Sequence, residues 1–123
     1  ELVALCDIDE DRLAAQGKKF GVADLHTDWR EIIERVDLDV IDVTTPNEWH
    51  APIAIAALDL SKHVLCEKPM ATSSVDAQRM LDLSIERGRK LQINHHFRFD
   101  RTFRDLRSFS GEDQLGKPYF AHA

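Results

Sequence analysis

Three residues at the end of a short apolar run carry side chains suited to proton transfer and ligand binding. The run HVLC (63–66) predicts a buried strand, and Glu67, Lys68 and Pro69 follow it directly. An ammonium group at the rim of a cleft can bind the hydroxyl of a ribose or a substrate and can pass a proton. Pro69 stiffens the turn, with either a trans or a cis peptide bond, which indicates that the direction of Lys68 is specified. A surface lysine beside a surface glutamate is the ordinary alternative.

An acidic residue follows the first apolar run of the chain in the same way. Asp7 comes directly after LVALC (2–6). At the end of a strand in a dinucleotide-binding unit, an acid can accept hydrogen bonds from both hydroxyls of the adenosine ribose and would repel the extra phosphate of NADP. Alternatively, Asp7 or Asp9 caps the helix that follows.

The stretch TTPNEWH (44–50) follows a third predicted strand. Pro46 ends that strand and Asn47 suits a turn or a helix N-cap, so the backbone from Thr45 to Asn47 is expected to lie across the rim, where a flat cofactor ring can rest. His50 falls in the first turn of the next helix. It either contacts the cofactor or is a capping or packing histidine.

A fourth polar group follows the last predicted strand, LQIN (91–94). Its members are His95, His96 and Arg98. They can contact polar groups of a ligand, or they can simply solvate the end of the strand, and spacing alone leaves both alternatives open.

Short apolar runs alternate with segments of helical period along the whole chain. Strands of four to six residues joined by crossover helices predict a parallel sheet whose strands are buried on both faces. The fold class is therefore α/β, with an open, doubly wound sheet. In such sheets ligands bind outside the carboxyl ends of the strands, which is where the polar groups described above are expected to lie.

The helix with the clearest signals covers 75–88, with Ser73 or Ser74 as its cap and Gly88 as its stop.

Composition excludes several classes of partner. The 123 residues contain 16 Lys and Arg against 22 Asp and Glu, a formal charge of −6, without a basic cluster that could track a nucleic-acid backbone. No apolar run approaches the roughly 20 residues that span a bilayer. The two cysteines and six histidines show no spacing typical of a metal site. We therefore expect a cytoplasmic protein without a nucleic-acid, membrane or metal partner.

The motifs, in their order, resemble the Gfo/Idh/MocA family of NAD(P)-dependent oxidoreductases. The resemblance is carried by ALCDID, DVIDVTTPNEWH, KHVLCEKPMATS, INHHFRFD and LGKPYFAHA, which together cover almost the whole chain. It implies a Rossmann domain that binds NAD, with NADP less favoured, and hydride transfer to or from a carbinol of a sugar, polyol or related substrate. It also implies a homo-oligomeric protein.

The resemblance assigns roles to individual residues. Lys68 matches the catalytic lysine of the family, which orients the substrate hydroxyl and assists proton movement. The expected cofactor contacts are Asp7, Thr45, Pro46, Asn47, His50, Glu67, Lys68, Pro69 and Arg98. The expected substrate contacts are Lys68, His95 and His96.

The resemblance also predicts a domain division. Residues 1–98 are expected to form a Rossmann domain truncated at its N-terminus, because the first strand and the Gly-rich phosphate loop of the family would precede Glu1. Residues 99–123 are expected to contain a linking helix and the beginning of a second, α+β domain for substrate binding and oligomerisation. Ser61 stands where glycine is common, so a left-handed residue is expected there at a cost on the order of 1 kcal/mol.

Two other functions compete with this interpretation. A phosphoreceiver domain would need an aspartate at the end of a middle strand, whereas Asp42 lies inside DVIDVTT (39–45). A non-catalytic nucleotide sensor of the same fold is harder to dismiss, because fold does not determine function. Lys68 favours the enzyme.

Overall fold

Strands and helices alternate along residues 1–111, the part of the chain that the computed structural model describes. The strands are β1 (Ala4–Cys6), β2 (Asp24–His26), β3 (Val40–Val43), β4 (His63–Cys66) and β5 (Leu91–Ile93). The helices are α1 (Glu10–Phe20), α2 (Trp29–Ile33), α3 (Asn47–Asp59), α4 (Ser74–Glu86) and α5 (Arg101–Gly111). The predicted α/β alternation is confirmed. The expected second domain after Gly111 lies outside the described residues.

All the strand pairs are parallel and form two ladders. Strand β1 pairs with β2, with Cys6 opposite His26. Strand β4 lies between β3 and β5, and Cys66 stands opposite both Val43 and Ile93. The parallel arrangement confirms the Rossmann-like prediction, because such strands need the crossover helices that the sequence supplies. Strand β2 was not predicted, since its sequence, DLH, contains a single apolar residue.

The core lies between the β3–β4–β5 ladder and helices α3 and α4. Along β3, Ile41 and Val43 are buried, whereas Val40 is 57% exposed and Asp42 points away from the core. The prediction that these strands are buried on both faces is therefore wrong for residues 1–111. The reason is that α3 and α4 pack together against one face of the ladder and contribute the small and apolar side chains of the core there, including Ala54, Ala57, Leu58, Met80 and Leu83.

The helix ends follow local signals. Asp9 caps α1 by accepting a hydrogen bond from the Arg12 amide, and Ser73 caps α4 by accepting one from the Asp76 amide. Gly88 ends the α4 segment with a φ of 61°. Ser61 follows α3 with a φ of 58°, which confirms the expected left-handed residue.

The chain divides into two compact units. The first is Glu1–Ile93 and the second begins at Asn94, five residues before the boundary that the sequence indicated. In the second unit, a 3₁₀ turn (His96–Arg98) precedes α5, and the rings of Phe97 and Phe103 lie 5.0 Å apart. Within residues 1–111 none of the helices is long and apolar enough to cross a membrane.

Candidate functional site

The turn that carries Lys68 is an extension of strand β4. The Glu67 amide donates to the Val43 carbonyl, so the strand pairing continues one residue past Cys66. The Lys68 amide then donates to Oε2 of Glu67 at 3.2 Å, and the Lys68–Pro69 peptide bond is cis. Lys68 and Pro69 are exposed at the carboxyl end of the strand. The Lys68 side chain therefore stands where ligands bind on parallel sheets.

The loop after β3 runs beside this turn. Val43 is paired with Cys66, so the two strands end side by side, and the segment Thr45–Asn47 leaves the same edge of the ladder as Lys68. Asn47 begins α3 instead of capping it, because Pro46 stands at the cap position and its carbonyl accepts from the Trp49 amide at 2.9 Å. Thr45, Pro46 and Asn47 are all exposed. The structure thus brings together two of the predicted polar groups.

His50 connects the two loops. Its side chain is 1% exposed, its Nδ1 lies 2.7 Å from the Pro69 carbonyl oxygen, and its Nε2 lies 2.8 Å from the Thr45 carbonyl oxygen. Both ring nitrogens are therefore occupied by the protein's own backbone. Of the two alternatives for this residue, the geometry favours a packing histidine over a polar contact with a cofactor.

Two carboxylates, Asp42 and Glu67, interact electrostatically near the ends of β3 and β4. Burial raises the pKa of Asp42, and the nearby charge of Glu67 raises it further. Burial, followed by the charges of Asp42 and Glu67, raises the pKa of the Cys66 thiol to about 11. Cys66 is therefore a neutral core side chain and not a nucleophile. Glu67 directly precedes Lys68 in the chain, so one of these two acids adjoins the proposed lysine.

Asp7 lies at the end of β1, and its carboxylate already contacts other groups of the protein. Its Oδ1 accepts from the Asp9 amide at 3.0 Å, and its Oδ2 lies 3.4 Å from Nη1 of Arg12. The Asp7 side chain is 27% exposed, so its oxygens keep lone pairs for a ligand. The structure thus adds Arg12 to the site, a residue that the sequence interpretation missed. The signal was present, since Arg12 stands three residues after the capping Asp9 on the first turn of α1.

A histidine held between two acids adjoins Asp7. The Asp7 amide donates to the carbonyl of His26, whose Nδ1 is 2.7 Å from Glu31 Oε2 and whose Nε2 is 2.8 Å from Asp24 Oδ1. Arg35 in turn forms ion pairs with Asp24 and Asp37. This network ties strand β2 to the α2 segment beside the predicted ribose position.

The His26 network predicts a pH dependence of stability. The hydrogen bond to Glu31, and then that to Asp24, raise the pKa of His26 above its ordinary value of 6.5, although burial opposes them. The stabilisation is therefore complete below about pH 6.5 and is lost as the pH rises through the higher, folded-state pKa. We expect the free energy of unfolding of the wild type to exceed that of His26→Gln by more under mildly acidic conditions than under basic ones. Urea unfolding of both proteins over a pH series measures this difference, and a difference independent of pH would contradict it.

The fourth predicted polar group belongs to the second unit. His96 and Arg98 lie in the 3₁₀ turn, His95 precedes it, and all three are exposed. The Arg98 amide donates to the His95 carbonyl at 2.9 Å. Their contacts with a cofactor or a substrate remain predictions. Among residues 1–111, no group of three His, Cys, Asp or Glu side chains is arranged to hold a metal ion.

Comparison with known proteins identifies the family. Residues 1–95 match the Gfo/Idh/MocA oxidoreductase family, which has an NAD-binding Rossmann fold. The chain belongs to this family. The resemblance predicted from the EKP and TPNEWH motifs is thereby confirmed, together with the Rossmann fold and the NAD-binding character of the domain.

Curated relatives extend well beyond this chain. It is 34% identical over 124 residues to inositol 2-dehydrogenase of Salmonella paratyphi B, covering 99% of this chain and 37% of that protein. It is 35% identical over 121 residues to 1,5-anhydro-D-fructose reductase of Ensifer adhaerens, covering 98% of this chain and 36% of that protein. The chain thus spans about a third of the length of the curated relatives that it matches.

A solved structure supports the same fold. The WlbA dehydrogenase from Chromobacterium violaceum, in complex with NADH and UDP-GlcNAcA, aligns with a TM-score of 0.88 at 28% identity. The alignment covers 97% of this chain and 34% of that one.

The described residues of this Gfo/Idh/MocA domain fit part of NAD. Asp7 has carboxylate oxygens that can accept hydrogen bonds, and the exposed Thr45–Asn47 segment and Lys68 follow the paired ends of β3 and β4. The printed sequence contains no G-x-G-x-x-G motif, whose amides would cradle a pyrophosphate. The residues present therefore carry groups that can accept from or donate to ribose hydroxyls.

Proposed function

We infer that the whole protein transfers hydride between a carbinol carbon of a sugar or polyol and the nicotinamide of NAD. The observation that carries this proposal is the exposed Lys68 at the carboxyl end of the paired strands β3 and β4, in a chain of an NAD-binding oxidoreductase family. The substrate class is supported by relatives whose names include inositol and 1,5-anhydro-D-fructose.

Lys68 is the proposed catalytic residue. NAD, when bound, supplies or accepts the hydride. The Lys68 ammonium donates a hydrogen bond to the oxygen of the reacting carbinol or carbonyl, which orients the substrate and stabilises the charge that develops on that oxygen. The Glu67 carboxylate accepts from the Lys68 amide and thereby restricts the backbone from which the side chain projects.

Asp7 is proposed to accept hydrogen bonds from the hydroxyls of the adenosine ribose and so to favour NAD over NADP. The remaining cofactor contacts are proposed for Thr45, Pro46, Asn47, Glu67, Pro69 and Arg98, and additional substrate contacts for His95 and His96. We further propose that the protein is cytoplasmic and homo-oligomeric and that it acts without nucleic acid or membrane. The formal charge of −6 supports the absence of a nucleic-acid partner.

The proposal is tested by assaying the whole protein against a panel of inositols, anhydro sugars, glucosides and nucleotide sugars. Each is offered with NAD and with NADP, and nicotinamide reduction is followed by absorbance. We expect turnover of at least one panel member, with NAD preferred. Binding of NADH without turnover of any member would instead favour the nucleotide sensor.

A further inference from the structure

His50 joins the two loops that carry the proposed site, although it is not accessible to a ligand. One loop supplies Thr45 and the other supplies Pro69, and the ring lies between their carbonyl oxygens at 2.8 Å and 2.7 Å. The histidine itself is fixed by α3, where Ala51, Ile53 and Ala54 around it are buried in the core. A rigid helix therefore sets the position of both loop carbonyls.

The two partners of the ring are backbone acceptors. Carbonyl oxygens only accept hydrogen bonds, so the ring is the donor in each bond that forms. The ring nitrogens approach both carbonyls at hydrogen-bond distance in a site with almost no access to water, where solvent does not replace a lost hydrogen bond. The charged side chains on the joined segments are Glu48 and Lys68, which are exposed, and Glu67, which is half-buried.

We propose that His50 is a positioning residue that holds the Lys68 turn in register with the Thr45–Asn47 loop. Its bond to the Pro69 carbonyl fixes the chain one residue after Lys68, while the Glu67 carboxylate fixes the Lys68 amide. The backbone on either side of Lys68 is thus held. This proposal rests on the proposed hydride transfer, because His50 is proposed to orient Lys68 for that reaction.

The hydrogen bonding of the ring can be measured without any turnover. In the whole protein with ¹⁵N-labelled histidine, correlation of ring nitrogens with their protons is expected to show a slowly exchanging ring N–H that is missing in His50→Gln. A folded wild type from which His50→Gln removes no such signal would overturn the proposal, whether or not the protein proves to be a dehydrogenase.

The positioning role is tested by a double-mutant cycle with Lys68. His50→Phe keeps a ring but removes both ring nitrogens, and is expected to lower kcat by about 10- to 100-fold, because a displacement of about 1 Å can cost that much. His50→Gln, which retains a donor, should recover part of the loss. In a Lys68→Ala background His50→Phe should lower kcat no further, since it acts through the lysine. Losses that multiply in the double variant would overturn the proposal.

A substitution at a buried neighbour of His50 distinguishes the positioning role from an effect on stability alone. Ile53→Val, on the same helix and 4% exposed, loosens the core without touching either carbonyl. We expect its kcat to equal that of the wild type at a temperature where both are folded. A loss of kcat in Ile53→Val as large as that in His50→Phe would assign the effect to stability and contradict the proposal. If His50→Phe fails to fold, the comparison of His50→Gln with Ile53→Val gives the same decision.

Discussion

Replacing Lys68 by alanine is expected to lower kcat of the whole protein by about 10²- to 10⁴-fold, the usual contribution of a positioned acid–base group. The affinity for NADH should change far less, because Asp7 and the exposed backbone from Thr45 to Asn47 would remain. Stability should also be retained, because the Lys68 side chain is exposed and the hydrogen bond to Oε2 of Glu67 comes from the Lys68 backbone amide, which alanine keeps. Steady-state kinetics together with NADH fluorescence titration separate the two effects.

The matched control is an exposed lysine away from the strand ends. Lys18 lies in the last turn of α1 and is exposed, so Lys18→Ala removes the same charge and the same length of side chain. Its kcat should equal that of the wild type. If the two variants behave alike, Lys68 has no catalytic role.

Replacing Asp7 by asparagine is expected to shift the ratio of NADP to NAD affinity by about 10- to 100-fold toward NADP. Asparagine keeps an oxygen for the Asp9 amide, which Asp7 bonds through Oδ1, but it removes the negative charge. Two effects combine: the ribose hydroxyls lose a charged acceptor worth about 1.5–3 kcal/mol, and the phosphate of NADP no longer meets a carboxylate. Titration of both cofactors against both proteins gives the ratio.

Arg12 provides a second test of the role of Asp7. Its guanidinium pairs with Asp7 and Asp9 in the wild type and is 61% exposed, so loss of the Asp7 charge leaves it more available to a phosphate. Adding Arg12→Ala to Asp7→Asn should therefore lower the affinity for NADP again while that for NAD changes little. Equal shifts of both cofactors in Asp7→Asn would remove Asp7 from the ribose role.

The features that were predicted from the sequence have local causes. The strand HVLC was placed correctly at 63–66 because four apolar or aromatic residues stand before a proline-containing turn. The cap at Ser73, one of the two serines that the sequence indicated, the stop at Gly88 and the left-handed Ser61 follow from the conformational preferences of single residues. The family followed from the order of motifs.

The features that were missed depend on contacts between distant segments. Strand β2 exists because it pairs with β1, and its own residues give no apolar pattern. The partners of the His50 ring are backbone carbonyls, one of them 19 residues away, so neither side-chain chemistry nor spacing indicates them. The effect of Glu67 on Asp42 requires the register of β3 on β4, which a single sequence does not contain.

The most direct test of the central claim is a crystal structure of the whole protein with NADH and a polyol from the assay panel. The proposed function predicts that the nicotinamide lies against the Thr45–Asn47 backbone and that Nζ of Lys68 lies within about 3 Å of a hydroxyl oxygen of the polyol. A nicotinamide bound away from the ends of β3 and β4, or a polyol that Lys68 does not reach, would contradict it.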